Sequence, residues 1–323
     1  MTVPIGVVVI GRNEGERLAR SLASVLPGSV PVVYVDSGST DGSAALARSK
    51  GAEVIELEAP FSAPRGRNEG FRRLRERFAD LAYVQFVDGD CELAAGWLQK
   101  AERFLAENPR VAVVCGRLRE RQPQRTVYSL LCDILWDAPP GETRVCGGIA
   151  MVRVDAFESV RGFRDELTAG ADPELCLRLR AAGWRVWRLE AEMATHDAAI
   201  SRFGQWWVRT LRGGYAYAHL AALHGAPPER YGVRESRRAW LWGCALPLLA
   251  LGLTPWWGAW GLAVLAAYPL QVMRLALRGA RSPRENWWYA LFLVLAMFPE
   301  MLGQLKFRIE RQAGAAPRLI EYR

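Results

Sequence analysis

Two aspartates separated by one glycine follow an apolar run in the segment YVQFVDGD, residues 83–90. Carboxylate oxygens are ligands that Mg²⁺ and Mn²⁺ prefer, and these cations often bridge a protein to substrate phosphates. An Asp-Gly-Asp triplet alone is more typical of a surface turn. At the end of a buried strand, however, Asp88 and Asp90 can reach one ligand, and the glycine lets its phosphates approach. The triplet therefore predicts a divalent cation beside a phosphorylated ligand.

Two further polar motifs also follow apolar runs. GRNE (11–14) comes after IGVVVI, and DSGSTDG (36–42) comes after VVYV. A carboxylate at the end of a strand, such as that of Asp36, can accept hydrogen bonds from a nucleotide base or ribose. Each motif alone is equally typical of a turn that enters a helix N-cap. The nucleotide-binding candidates in these two motifs are Asn13, Glu14, Asp36 and Ser37.

Up to about residue 190, short apolar runs alternate with longer amphipathic runs, as in VVYVD (32–36), DGSAALARSK (41–50) and AEVIEL (52–57). This alternation predicts an α/β fold, a mostly parallel, Rossmann-like sheet with helices on both faces. Ligands of such sheets bind at the carboxyl ends of the strands. The three polar motifs should therefore meet at one edge of the sheet.

Composition and charge bear on the partners. The chain has 42 basic and 34 acidic residues, a net charge of +8, which suits an anionic partner. The arginines crowd the apolar stretches after residue 200, which favours a membrane surface over nucleic acid. The six cysteines form no CxxC pair, so reduced thiols are expected rather than a disulfide framework or a zinc site. The N-terminus reads as a strand rather than a cleavable signal, which predicts a cytoplasmic N-terminal part.

The character of the sequence changes after His196. FGQWWVRTLRGGYAYAHLAAL (203–223) is aromatic and basic, as in a helix at a membrane surface, and Ala239 to Met273 contains no charged residue. One helix of that length would span roughly 50 Å, more than a hydrocarbon core of about 30 Å. We therefore expect a hairpin that turns at 254–257, with arginines at both cytoplasmic ends. The apolar stretch 286–299 favours a re-entrant or interfacial helix over a third span. A soluble helical domain with a buried hairpin is the alternative.

The sequence thus divides into three predicted parts. Residues 1–200 form the α/β domain, 201–238 form amphipathic interfacial helices, and 239–323 form a membrane hairpin, a re-entrant or third membrane helix, and a basic tail.

The motifs VVVIGRNE, VDSGSTDGS and FVDGD, in this order, resemble the nucleotide-binding half of family 2 inverting glycosyltransferases, which have the GT-A fold. The resemblance continues in CGGIAMVRVDAFESVRGF (146–163) and AGADPELCLRLRAAGWRVWRL (169–189), and covers about 190 residues. It implies a nucleotide-sugar donor, with UDP expected, and Mn²⁺ or Mg²⁺ as cofactor. It also implies that Asp36 contacts the base, that Asp88 lies near the ribose and diphosphate, and that Asp90 binds the metal.

The family's second half usually carries an acidic pair that includes the catalytic base. Here Ala171 replaces the first acidic residue, which leaves Asp172 as the candidate base and Glu174 as its competitor. The resemblance places His196 near the metal or diphosphate. Arg67 could contact the donor, although a solvated helix face is the favoured explanation of its basic run. The candidates on the acceptor side are Gly147, Gly148, Glu174 and Trp206.

Together with the apolar C-terminal stretches, the resemblance predicts a membrane-anchored, inverting transferase in cell-envelope or exopolysaccharide biosynthesis. Its tether at the cytoplasmic leaflet favours a lipid or lipid-linked saccharide acceptor, and the few possible spans favour transfer of one sugar over a polymer channel. Processive members carry a QxxRW motif, which QWWVR (205–209) does not match. A sugar nucleotidyltransferase is one alternative, but it would need a glycine-rich basic loop after the first strand. A catalytically silent membrane scaffold with the same fold is the other alternative, and Ala171 is its only support.

Overall fold

The computed structural model describes residues 5–26 and 30–314, so the end of the predicted basic tail, 315–323, lies outside the described residues. The chain divides into two compact units. The first comprises Met1–Gln122 and Leu135–Ala199, and the second comprises Pro123–Ile134 and Ile200–Arg323. The sequence analysis placed residues 123–134 in the α/β domain. The structure groups them instead with the C-terminal helices.

The first unit is built on one sheet, which has nine strands among the described residues. They are β1 (Ile5–Gly11), β2 (Val32–Asp36), β3 (Glu53–Glu56), β4 (Tyr83–Asp88), β5 (Cys91–Leu93), β6 (Val111–Glu120), β7 (Gly141–Glu142), β8 (Ala150–Arg153) and β9 (Arg185–His196). The strand order is β3-β2-β1-β4-β8-β6-β9-β5, and β7 pairs with β9.

The α/β class is confirmed, but the sheet is mixed rather than mostly parallel. Strands β3, β2, β1 and β4 are parallel, whereas β8 pairs antiparallel with both β4 and β6. The strand–helix alternation that predicts parallel pairing ends at β4, because β5 follows β4 without an intervening helix. Beyond β4 the pairing is mixed, because β8 is antiparallel to both of its neighbours whereas β6 pairs parallel with β9.

The helices of the first unit cover the sheet, and their buried positions repeat at helical spacing. They are α1 (Glu16–Val25), α2 (Ser43–Ser49), α3 (Ala63–Arg77), α4 (Trp97–Glu107), α6 (Val154–Ser159) and α7 (Ala171–Ala181), while α5 (Val127–Trp136) crosses the division between the units. In α1, for example, Leu18, Leu22 and Val25 are buried, because residues three or four apart share one face of a helix.

Strand register brings the polar motifs to one edge. In β1, Gly11 pairs with Asp36 of β2, and Ile10 pairs with Asp88 of β4. The first six residues of β1 are buried, which fits a central parallel strand covered on both faces. The three strands that precede GRNE, DSGSTDG and DGD therefore end together.

The second unit is helical beyond residue 200. Its helices are α8 (Phe203–His224), α9 (Val233–Trp240), α10 (Leu246–Trp257), α11 (Ala267–Arg278), α12 (Pro283–Leu295) and α13 (Met297–Gln312). A π-helical turn (Leu241–Ala245) joins α9 to α10, and a 3₁₀ segment (Gly258–Ala266) joins α10 to α11. The chain reverses near Gly258, so that the Tyr268 hydroxyl of α11 donates a hydrogen bond to the backbone carbonyl of Trp242 in the π-helical turn.

Two stretches of this unit, Val233–Arg278 and Pro283–Gln312, are long and apolar enough to cross a membrane. In the most apolar 18-residue window of each stretch, the protein buries 11% of the window in the first stretch and 56% in the second. Large apolar side chains on the first stretch are exposed, including Leu248 (62%), Trp256 (77%) and Trp260 (82%). The two stretches therefore differ in how much apolar surface the protein itself covers.

Helices α8 and α13 pack at close range. A Cβ added at Gly214 would lie 2.1 Å from the carbonyl oxygen of Glu300, and one at Gly303 would lie 2.0 Å from that of Leu211. Only glycine permits this approach of the two backbones.

Candidate active site

The two aspartates of the triplet contact different partners. The Asp88 carboxylate accepts a hydrogen bond from Arg67 (Nη2 to Oδ1, 2.8 Å), whereas Asp90 is buried with Oδ2 3.2 Å from His196 Nε2. Between them, the Gly89 amide donates to the carbonyl of Ile10, and a Cβ at position 89 would lie 3.1 Å from that oxygen. The glycine thus packs on the end of β1, which is a structural reason for it besides the predicted room for phosphates.

Asp90, Cys91 and His196 form a group that could hold a metal ion, since their ligating atoms all lie within 4.8 Å of one another. Antiparallel pairing of β5 with β9 sets Cys91 opposite His196. A carboxylate and an imidazole suit Mn²⁺, whereas a thiol is a soft ligand that suits other metals. The pair Asp90–His196 therefore fits the cofactor that the sequence predicts.

The face of the His196 imidazole is covered by Trp136, whose ring meets it edge-on with centroids 4.6 Å apart. Neither Trp136 nor Cys91 was predicted from the sequence. Cys91 directly follows Asp90, so its position next to the triplet was a usable signal. Trp136 lies 60 residues from His196 in the chain, and no local motif marks it.

Arg67 is buried, with 4% of its surface exposed, so the favoured explanation of its basic run as a solvated helix face is wrong at this position. It joins two carboxylates, donating to Asp88 from Nη2 and to Asp172 from Nη1 at 2.9 Å. A Cβ at Gly148 would lie 2.2 Å from Nη2, so this glycine makes room for the guanidinium. Burial lowers the pKa of Arg67, but Asp172 and Asp88 outweigh it and raise that pKa, which keeps the side chain charged.

The two candidates for the base have different environments. Asp172 stands in the first turn of α7, and its side chain is 25% exposed. Glu174 has no exposed surface and accepts hydrogen bonds from Arg164 (2.8 Å) and Arg178 (2.7 Å). Arginines hold this carboxylate inside the protein, so the structure gives no support for Glu174 on the acceptor side, and that role stays a prediction. A helix's first turn accommodates acidic side chains, and here two arginines fix this one.

The turn after β2 is held by Asp36. Its carboxylate is 2% exposed and accepts hydrogen bonds from the Tyr34 hydroxyl (2.9 Å) and the Ser39 amide (2.7 Å). Burial, followed by the charge of Asp36, raises the pKa of Tyr34, so the hydroxyl remains a donor. In this structure Asp36 shapes the turn, and its contact with a base stays a prediction.

The first two motifs are bonded to each other. Asn13 has a positive φ of 56°, and its side-chain Oδ1 accepts a hydrogen bond from the backbone amide of Thr40 (2.8 Å). The backbone amide of Asn13 donates to Oγ of Ser39 (2.9 Å). The Ser37 amide donates to the carbonyl of Gly11. Glu14 is buried and pairs with Arg17 at 2.9 Å, and a Cβ added at Gly89 would lie 3.2 Å from its Cγ, so Glu14 borders the Asp-Gly-Asp triplet.

The remaining acceptor-side candidates are distributed over both units. Gly148 lies beside Arg67 and Asp88, while Gly147 is exposed with no atom near its missing Cβ. Trp206 belongs to the second unit, where its buried ring packs edge-to-face on Phe292 with centroids 4.8 Å apart. Its contact with an acceptor stays a prediction.

Two thiols adjoin the arginine network. Cys146 and Cys176 are buried with their sulfurs 3.3 Å apart, and the hydrogen bond between them, followed by burial, raises the pKa of Cys146. Such thiols behave as small packing groups rather than nucleophiles.

Residues 6–161 match the sequence profile described as glycosyl transferase family 2. Among curated proteins, the chain is 24% identical over 208 residues to glycosyltransferase AglE of Haloferax volcanii, covering 61% of this chain and 68% of that protein. Among solved structures, it is similar to residues 1–349 of S. aureus TarS, with a TM-score of 0.52, 15% identity and coverage of 98% of this chain and 93% of that one. A second structure of the same TarS fragment, in complex with UDP, gives the same values. At this identity the structural likeness shows the GT-A fold.

Proposed function

We propose that the protein is a family 2 glycosyltransferase that transfers one sugar with inversion from a UDP-sugar to a lipid or lipid-linked saccharide at a membrane. The match of residues 6–161 to the family 2 profile and the similarity to glycosyltransferase AglE support the proposal. The observation that carries the proposal is the arrangement at the strand ends. Asp36 and Asp88 end the two strands that flank β1, and Asp90 follows Asp88 after one glycine. His196 joins this group through Asp90, and Asp172 joins it through Arg67.

A UDP-sugar is the proposed donor. The TarS fragment, whose fold this chain shares, has been solved with UDP and with UDP-GlcNAc. The Asp36 carboxylate would accept a hydrogen bond from the nucleotide base once the turn after β2 opens to the nucleotide. Asn13 and Ser37 would lie beside it. Asp88 would lie near the ribose and diphosphate.

Asp90 and His196 would hold Mn²⁺ or Mg²⁺, and Mn²⁺ fits the imidazole better because Mg²⁺ is bound mainly through oxygen. When bound, the cation supplies positive charge that stabilises the leaving diphosphate. Arg67, fixed between Asp88 and Asp172, adds a permanent charge at the same edge.

Asp172 would act as the general base. Its carboxylate accepts the proton of the acceptor hydroxyl as that oxygen bonds to the anomeric carbon and the bond from this carbon to the diphosphate oxygen breaks. One displacement of this kind inverts the configuration. Arg67 orients the carboxylate of Asp172 through its Oδ1 atom, and the side chain is exposed enough for an acceptor to reach it.

The choice of a lipid acceptor follows from the proposed attachment to the cytoplasmic face of a membrane. The exposed leucines and tryptophans of Val233–Arg278 would be covered by lipid, because soluble proteins rarely expose so large an apolar surface. The arginines that flank this stretch would face the cytoplasm by the positive-inside rule.

Calorimetric titration of the detergent-purified chain with UDP, with and without Mn²⁺, tests the proposal. We expect binding that requires Mn²⁺ and that Asp90→Ala abolishes. Asp80→Ala is the matched control, because Asp80 is an exposed aspartate of the same unit. UDP binding that persists in Asp90→Ala would remove the metal assignment. If UDP, GDP and dTDP all fail to bind the wild-type chain, a silent scaffold replaces the transferase.

A further inference from the structure

A basic pocket lies within the second unit, between α8, α9 and α13. It has a volume of about 740 Å³. Three arginines line it (Arg237, Arg308 and Arg311), and apolar side chains such as Val233 and Phe307 form the rest of its wall. The pocket thus combines positive charge with an apolar surface.

Buried polar groups face this pocket without partners. Gln304 has no exposed surface, and neither its Nε2 nor its Oε1 has a hydrogen-bond partner among the described residues. Nε1 of Trp240 and Oγ of Ser236 are also buried and have no hydrogen-bond partner among the described residues. Both residues line the pocket. Leaving a buried polar group unpaired costs free energy, so such groups are normally satisfied. A ligand that reached these atoms would satisfy donors and acceptors that the described residues leave unpaired.

The arginines of the pocket also lack carboxylate partners. No ion pair joins Arg237 or Arg311 to a carboxylate of the described residues, and Arg308 lies over the Trp240 ring at 4.6 Å from its centroid. Neighbouring basic side chains are paired, since Arg238 lies 3.6 Å from Glu300 and Lys306 bonds to Glu310. Arg237 and Arg311 therefore bring positive charge to the pocket that no carboxylate of the described residues balances.

We propose that this pocket binds the phosphate group of an anionic lipid. Guanidinium groups are well suited to phosphate, because their N–H groups match its oxygens in pairs. Gln304, Trp240 and Ser236 supply further N–H and O–H donors, and the apolar wall accommodates the first part of the lipid chain. Free phosphate would use the arginines but gain nothing from that wall. The proposal is independent of sugar transfer and of the donor site.

The test is calorimetric titration of the full chain in detergent with three probes: a short-chain phosphatidic acid, the phosphatidylcholine of the same chain length, and inorganic phosphate. We expect binding of phosphatidic acid that weakens as salt is added, and at least about tenfold weaker binding of the other two. Equal binding of both lipids would overturn recognition of the anionic phosphate. Equal binding of inorganic phosphate would overturn the lipid and identify a site for the free anion.

Variants locate the binding within the chain. Arg237→Gln/Arg311→Gln should weaken phosphatidic acid binding about tenfold or more, while Arg234→Gln, which removes an exposed charge of the same helix outside the pocket, should not. Gln304→Leu should weaken binding without lowering the thermal midpoint of unfolding, since no internal hydrogen bond is lost. Unchanged affinity in a folded double variant would overturn the assignment of the pocket.

Discussion

Arginines lie both at the strand ends of the first unit and in the basic pocket of the second unit. The two regions differ in whether carboxylates of the chain balance the charges of these arginines. In the first unit, Arg67 bonds to two aspartates and Arg178 bonds to the fully buried Glu174. In the second, Arg237 and Arg311 have no carboxylate partner among the described residues. The first region is organised by the chain itself before any ligand arrives. The second has charge to offer to a ligand.

Buried glutamines show the same contrast. Gln85 and Gln304 both have no exposed surface. Gln85 accepts from the Trp97 indole (2.8 Å) and donates to the carbonyl of Phe86 (2.8 Å), whereas neither polar atom of Gln304 has a partner in the part of the chain that the structure describes. Buried polar groups are normally satisfied internally, as those of Gln85 are. Gln304 departs from this rule, and it does so in the unit whose helices also expose large apolar side chains.

The largest expected effect is a loss of turnover, and it should distinguish Asp172 from Glu174, two acidic residues of α7. Asp172→Asn should lower turnover about 10²–10⁴-fold with UDP binding retained, because it removes the proposed proton acceptor but keeps an oxygen for Arg67. The measurement is turnover with a donor and acceptor identified by screening, beside calorimetry with UDP.

Glu174→Gln is the contrasting variant. It leaves Arg164 and Arg178 beside a buried neutral amide and should lower the stability of the fold by about 3–5 kcal/mol, so that any loss of activity follows the loss of folded protein. If Asp172→Asn retained wild-type turnover, the base assignment would be wrong.

The next largest effect compares two arginines of α3. Arg67→Met should destabilise the first unit by about 3–5 kcal/mol, because it leaves two carboxylates around an uncharged buried side chain. Arg72→Met should cost about 0–1 kcal/mol, since Arg72 is largely exposed and its ion pairs with Glu69 and Glu76 are screened by water. Thermal unfolding of the two variants under one condition measures the difference, and similar losses would show that Arg67 is not the organising charge.

A third prediction compares the two buried glutamines directly. Gln85→Leu should cost about 1–3 kcal/mol, because it leaves the Trp97 indole N–H without its acceptor. Gln304→Leu should be neutral or slightly stabilising in the absence of lipid, because it removes polar atoms that have no partner among the described residues. Thermal midpoints of the two variants in the same detergent provide the comparison. A marked loss in Gln304→Leu would show that Gln304 already has a partner in solution.

The sequence predicted the parts of the fold that are local. Apolar runs followed by polar motifs located β1, β2 and β4 and their ends, because strand burial and turn chemistry are written within a few residues. The antiparallel orientation of β8 depends on its pairing with β4 and β6, which are distant in the chain. The residues at 150–153 do not themselves show whether the strand pairs parallel or antiparallel.

The site was predictable to a similar extent. The acidic and histidine positions could be selected from motifs, whereas the role of Arg67 could not, because its burial results from Gly148, about 80 residues later in the chain. Likewise Glu174 and Asp172 are two residues apart in the chain. The arginines that hold the carboxylate of Glu174 distinguish it from the partly exposed carboxylate of Asp172, and no local motif marks them.

The smallest predicted effect concerns the link between the first two motifs. Asp41 accepts from the Gly15 amide at 3.0 Å and from the Ser43 amide at 3.0 Å. Burial tends to raise the pKa of Asp41, but the hydrogen bonds from Ser43 and Gly15 outweigh it and lower that pKa below its ordinary value. The folded state therefore favours the ionised form. Its contribution to stability is present above the unfolded-state pKa and is lost as the pH falls through the folded-state pKa.

Asp41→Asn should accordingly cost about 0.5–1 kcal/mol at neutral pH, since one amide oxygen cannot replace both carboxylate oxygens. The cost should shrink as the pH falls from about 5 to about 2, where the wild-type carboxyl also becomes protonated. Thermal midpoints of the variant and the wild-type chain across this range measure it, with Asp80→Asn as the exposed control. A difference that stays constant with pH would mean that the shape of the Asp41 side chain, rather than its charge, joins the two turns.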